Sequence, residues 1–91
     1  MFVRYFHSFT GHDLYLDWQP DGELSFAHIP DPDIDPFSLD NLIMQALHAH
    51  PVITTRGLAD DDLIRVALRR LARRGGVVGD ETGEVWRRAN S

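Results

Sequence analysis

The sequence contains no cysteine and no lysine. Without cysteine there is no disulfide framework and no thiolate for metal or redox chemistry. With lysine absent, all nine basic residues are Arg. Arginine forks bind carboxylates or phosphates bidentately, although a GC-rich coding sequence gives the same bias. No long apolar run and no signal-like N-terminus appears, so neither membrane insertion nor export is expected, and the expected location is cytoplasmic. Glycine loops with phosphate-binding spacing are missing, since Gly75-Gly76 and Gly79 read as a helix end and a hairpin. What remains is 91 residues at 43% hydrophobic, the composition of one small folded domain spanning residues 1–91.

Charge is divided along the chain. Residues 1–62 carry Arg4 and Arg56 against eleven acids, a net of −9. Residues 63–91 carry seven Arg against Asp80, Glu81 and Glu84, a net of +4. The two parts account for the total of −5. Such asymmetry can orient a protein against a charged partner.

Residues 1–29 read as an antiparallel β-meander. Phe2 to His7 alternates, Ser8 to Gly11 is a turn region, and Leu14, Leu16 and Trp18 alternate with Asp13, Tyr15 and Asp17. Gln19-Pro20-Asp21-Gly22 is a turn, and Leu24, Phe26 and His28 form a third strand. Leu16, Trp18 and Phe26 are expected to bury the inner face, with Tyr5 and Tyr15 on the outer one. Residues 30–37 hold three prolines and read as an extended crossing segment. Its Asp31, Asp33 and Asp35 form an acidic strip.

Residues 38–91 read as helical and then β. Ser38 is the expected N-cap of a helix to about His50, with Leu39, Ile43, Ala46 and Leu47 as its stripe. Val52-Ile53 suggests a short strand, and Thr54 to Ala59 a brief second helix. Asp60, Asp61 and Asp62 are expected to open a third helix. Ile64, Ala67, Leu68 and Leu71 give that helix an apolar stripe, opposite Arg65, Arg69 and Arg73. Gly75-Gly76 ends it, and residues 77–88 form a hairpin.

Helix, Arg-rich helix and hairpin together, from about Ser38 to Arg88, resemble a winged helix-turn-helix domain. The expected fold is therefore α+β, with the meander packed on a winged-helix-like three-helix bundle and a C-terminal β-hairpin wing. The resemblance implies DNA contacts from Thr54, Thr55, Arg56, Arg65, Arg69, Arg73 and the wing residues Arg87 and Arg88. Asp61 and Asp62 depart from it, because carboxylates at the reading end of the helix are repelled by phosphate. Acids at a helix start and bases towards its end also complement the helix dipole without any ligand. The three-stranded meander, with the hairpin at residues 13–29, has a weaker resemblance to peptide-recognition elements of modified-peptide biosynthesis. There a leader peptide adds a strand to the sheet edge.

The residues thus favour a non-enzymatic protein-interaction module, a small regulator or inhibitor of a larger complex of the kind phages and mobile elements encode. Asp31, Asp33, Asp35, Asp60, Asp61, Asp62 and Trp86 are its candidate protein-binding residues. A DNA-binding regulator is the alternative, and a leader-peptide binder the weaker one. No catalytic residue, metal or cofactor is expected: the five His lack ligand spacing, and Ser8, Ser25 and Ser38 lack a nucleophile context. Open strand edges would also permit a homodimer.

Overall fold

The computed structural model describes residues 4–19, 21–28 and 31–89. It has an α+β fold of two helices and one six-stranded sheet. The elements are β1 (Arg4–Phe9), β2 (His12–Trp18), β3 (Leu24–His28), α1 (Pro36–Ala49), β4 (Val52–Thr54), α2 (Leu63–Arg73), β5 (Val77–Gly79) and β6 (Val85–Arg88). The strand order is β1-β2-β3-β4-β6-β5. Every pairing is antiparallel except β3 with β4, which is parallel. A parallel neighbour requires a crossover, and α1 provides it.

The meander is as expected in strand number, with a tighter first turn. Phe9 pairs with His12, leaving only Thr10 and Gly11 between the strands. Their φ angles of 48° and 82° suit a two-residue hairpin that follows the right-handed strand twist. The expected strand start at Phe2 and Val3, and Pro20 and Pro30 of the expected turn and crossing segment, lie outside the described residues.

Three expectations are corrected. The second helix expected at residues 54–59 is replaced by the end of β4 and a turn, so two helices are described rather than three. Thr54 and Thr55 are β-branched and suit a pleated strand; the Thr55 amide donates to Glu84 O at 2.7 Å, and Gly57 turns the chain at a φ of 90°. The meander is not a separate layer on a helical bundle, because β4 joins it to the wing in one continuous sheet. The helix starts also differ. Asp35, not Ser38, caps α1, its Oδ2 accepting from the Ser38 amide at 3.0 Å. Pro36 then occupies a first-turn position where no backbone donor is needed. Asp62 caps α2 through Oδ1 and the Ile64 amide at 2.9 Å, so Asp60 and Asp61 precede the helix rather than open it.

Both helices bury the predicted stripes. Leu39, Leu42, Ile43, Ala46 and Leu47 of α1 meet Ile64, Ala67, Leu68 and Leu71 of α2 and the sheet residues Leu14, Leu16, Phe26, Ile53, Val77 and Trp86 in one core. α2 ends at the glycine pair as expected. Gly75 takes a φ of 79° and donates to Ala72 O, while Gly76 donates to Leu71 O at 2.9 Å, the Schellman arrangement. One cross-link between the helices has no counterpart in the sequence reading. Asp40, buried on α1, accepts from Arg70 Nε at 3.1 Å and from Arg74 Nη1 at 3.2 Å, with Arg70 Nη2 on its second oxygen. Among the described residues no helix is long and apolar enough to cross a membrane.

Candidate functional site

β3 and β4 are joined through one residue pair, Ser25 with Thr54. Two strands held at a single point cannot stay close along their length, and a cleft of about 230 Å³ opens beside the pair. Trp18, Gly22, Glu23 and Leu24 line it from the meander; Val52, Thr54 and Val85 line it from the wing half. Val52 and Val85 also line a neighbouring depression with Val78, Gly79, Asp80 and Arg87. The two together form an apolar groove across the seam of the sheet.

Strand parity explains why Val52, Val78 and Val85 are outside. Ile53 pairs with Trp86, and Trp86 with Gly79, placing all three on the core face. Their neighbours Val52, Arg87 and Val78 pair with one another and must therefore point the other way. Among the described residues no helix covers that face: Val52 is 56% exposed and Val78 41%. Trp18 was expected in the core; it shares the face of Leu14 and Leu16 and lies 6.4 Å from the Tyr5 ring, but at the end of β2 it is 41% exposed. Leu16 and Phe26 are buried as expected. Tyr5 pairs with Leu16 and so packs on the core face, not the outer one, whereas Tyr15 stacks on the exposed Phe6 outside.

Charge differs along the groove. At the meander end, Arg56 lies 3.1 Å from Glu23, 3.6 Å from Glu84 and 3.7 Å from Asp21. Three carboxylates against one guanidinium leave that end negative. At the wing end, Arg87 is exposed and has no hydrogen-bond or ion-pair partner among the described residues. Asp80 beside it is absorbed by its own turn. The Thr82 hydroxyl and the Val85 and Glu84 amides donate to its carboxylate, which holds its pKa below the usual carboxylate value.

The candidate acids divide by role. Asp35 and Asp62 are helix caps, and the Ser38 amide and hydroxyl lower the Asp35 pKa. Asp31 turns the chain onto the Asp33 amide and sits 3.1 Å from His12. Asp60 approaches Arg65 at 3.9 Å. Of these six candidate acids, only the Asp33 and Asp61 carboxylates are exposed without a partner among the described residues. The two acidic runs lie at the starts of different helices, and α1 meets α2 start to end through Asp40 with Arg70 and Arg74. Trp86 is buried, its Nε1 donating to Thr55 Oγ1 and Gly83 O, both at 3.1 Å. It is a core residue and offers no exposed anchor.

The candidate cations are mostly engaged within the molecule. Arg65 donates to Thr55 O, Arg69 to Asp60 O, and Arg88 to His48. Thr54 and Thr55 are buried; Thr54 Oγ1 accepts from the Arg56 amide, and Thr55 Oγ1 donates to Glu84 O at 3.2 Å. Arg73 and Arg87 remain unpaired among the described residues.

The sequence reading missed Trp18, Leu24, Val52, Val78 and Val85 as site residues. Alternation within Val52-Ile53 and Val77-Val78 indicates that one Val of each pair faces out. Which strands lie side by side is a tertiary fact. Among the described residues no group of three or more His, Asp or Glu is arranged to hold a metal ion. No family model, curated protein or solved structure matches the chain.

Proposed function

We propose that the protein is a non-enzymatic protein-interaction module, a small regulator or inhibitor that docks on a larger macromolecular partner through the apolar groove across the β3–β4 seam. The exposure of Trp18, Val52 and Val78 along two adjoining depressions that share Val52 and Val85 carries this reading. Contiguous exposed apolar surface with a polar rim is characteristic of docking sites, and Trp is enriched among residues that dominate binding energy. The rim sets the partner's chemistry. An aliphatic or aromatic side chain enters the cleft, a base faces the Asp21–Glu23–Glu84 end, and an acid meets Arg87.

The internal engagement of Arg56, Arg65, Arg69, Arg70, Arg74 and Arg88 weighs against the DNA alternative. A phosphate contact by Arg56, Arg70, Arg74 or Arg88 competes with a side-chain partner already in place. Arg73 and Arg87 are the exposed cations left wholly unpaired among the described residues, which supports few released counterions and a shallow salt slope. For the leader-peptide alternative, β3 is covered by β4 and only β1 and β5 are edges, so an added strand would have to pair with β1 or β5.

The test compares capture by wild type, Val52→Glu and the pair Asp33→Asn with Asp61→Asn, each checked for native circular dichroism. Loss of a captured partner with Val52→Glu alone supports docking at the seam. Loss with the Asp pair alone moves the interface to the acidic runs. Duplex-DNA binding that falls steeply with salt and disappears in Arg73→Ala with Arg87→Ala would replace the reading with the DNA one.

A further inference from the structure

A second cleft, of about 210 Å³, lies between α2 and the turn at residues 80–83, lined by Asp60, Arg65, Arg69, Thr82, Gly83 and Trp86. We propose that it binds a small phosphate-class oxyanion. This site is independent of the docking groove: Trp86 and Val85 alternate along β6, so the two clefts use opposite faces of the same strand.

Two guanidiniums enter this cleft, and its one lining carboxylate, Asp60, stands no closer than 3.9 Å, on Arg65. Arg65 is 14% exposed and Arg69 stands one turn further along the same helix face. Arg65 Nη2 donates to Thr55 O at 3.2 Å, and Nη1 reaches Gly83 O only at 3.5 Å. Its Nε is buried and has no partner. Arg69 spends Nη2 on the Asp60 carbonyl, and its other nitrogens have no partner among the described residues. The contrast with Arg70 is direct, since that guanidinium has two nitrogens on the Asp40 carboxylate. Charged donors left underused are costly, and a ligand acceptor can meet the loosely held Arg65 Nη1 and the free Arg69 nitrogens.

The remaining lining groups fix the ligand class. The Thr82 hydroxyl donates to Asp80, and the Trp86 indole N–H is held by Thr55 and Gly83, so neither offers a free donor. The open donors are charged and come from two forks on successive helical turns. Such donors converge on an oxyanion with several acceptor oxygens in different directions, a tetrahedral phosphate rather than a planar carboxylate. Asp60 is the carboxylate among the lining residues. It is 94% exposed and 3.9 Å from Arg65, free to swing towards solvent as the anion enters. The cleft has room for one phosphoryl group and water.

The test is an NMR titration of the full chain with inorganic phosphate at constant ionic strength, with acetate as comparator. The Gly83 amide and the Arg65 and Arg69 Nε–H signals are followed. Saturable shifts with phosphate and not with acetate are expected. Arg69→Gln, an exposed change that leaves the core alone, is expected to weaken binding about tenfold or more, as loss of one charged fork requires. Asp60→Asn is expected to tighten it several-fold by removing the competing charge. Linear, unsaturating shifts, equal binding of acetate, or unchanged affinity in Arg69→Gln would each overturn the site.

Discussion

Gly79 shows how one missing side chain sets the wing. A Cβ at this position would come within 2.9 Å of the Trp86 ring. The indole therefore lies flat on bare backbone, and its N–H reaches Thr55 and Gly83. Gly79→Ala is expected to push the ring off this seat and to destabilise the fold by about 1–3 kcal/mol, the usual cost of overpacking. Urea unfolding monitored by Trp fluorescence measures it; an unchanged midpoint would contradict the packing. The acids at the start of α2 separate equally sharply by position. Asp62 accepts from the Ile64 amide, whereas the Asp61 side chain accepts from nothing among the described residues. Asp62→Ala is expected to cost about 0.5–2 kcal/mol as a lost cap, and Asp61→Ala less than about 0.5 kcal/mol. Equal effects in thermal melts would refute the assignment.

At the scale of elements, α1 and α2 are held by their apolar stripes and by Asp40. Its side chain is 9% exposed, and a buried carboxylate is tolerated only when its lone pairs are filled. Arg70 and Arg74 fill them, and the Asp40 hydrogen bonds raise the Arg70 pKa above its usual value. Asp40→Ala is expected to cost about 1–3 kcal/mol by stranding the half-buried Arg70 donors. A double-mutant cycle with Arg70→Ala checks the coupling, which should be well above the level of exposed ion pairs. Additive single effects would mean that the contact contributes only packing. This cross-link was not legible from the sequence, because Asp40 and Arg70 are 30 residues apart and nothing local marks them as partners. The helices themselves were legible. An apolar stripe at i, i+3, i+4 and i+7 buries whatever it meets.

At the scale of the whole molecule, stability is expected to fall with acid in two windows. His7 and His50 face each other with ring centroids 5.4 Å apart, and Tyr5 packs edge-on to His50 at 4.5 Å. Burial lowers the His7 pKa, with the charge of His50 adding to it; burial alone lowers that of His50. Neutral imidazole is thus favoured in the folded state. The unfolded chain takes up protons first as pH falls below the ordinary value of 6.5, and folding loses stability from there down to the lowered folded values. Asp35 and Asp80 are also lowered, so their contribution is present above 3.8 and lost as pH falls below it. Urea midpoints compared between about pH 7.5 and about pH 5 should drop, and the drop should shrink in His50→Gln. A pH-independent midpoint across the first window would rule out the histidine contribution.

Local chemistry determined much of this chain. Strand alternation gave the three-stranded meander and the final hairpin. The amphipathic periods placed both long helices, and the glycine pair placed the end of α2. These signals are set by neighbours in sequence, and packing reinforced them. Tertiary pairing decided the rest. The Thr54–Ala59 segment favours helix or strand only weakly, and its pairing with β6 decided against a helix. That pairing also merged meander and wing into one sheet, opened the β3–β4 seam and turned Val52 and Val78 outward. The arginines are visible in the sequence, but their availability is not. Whether a guanidinium faces solvent, a carboxylate or a bare carbonyl depends on which distant residue the fold brings beside it.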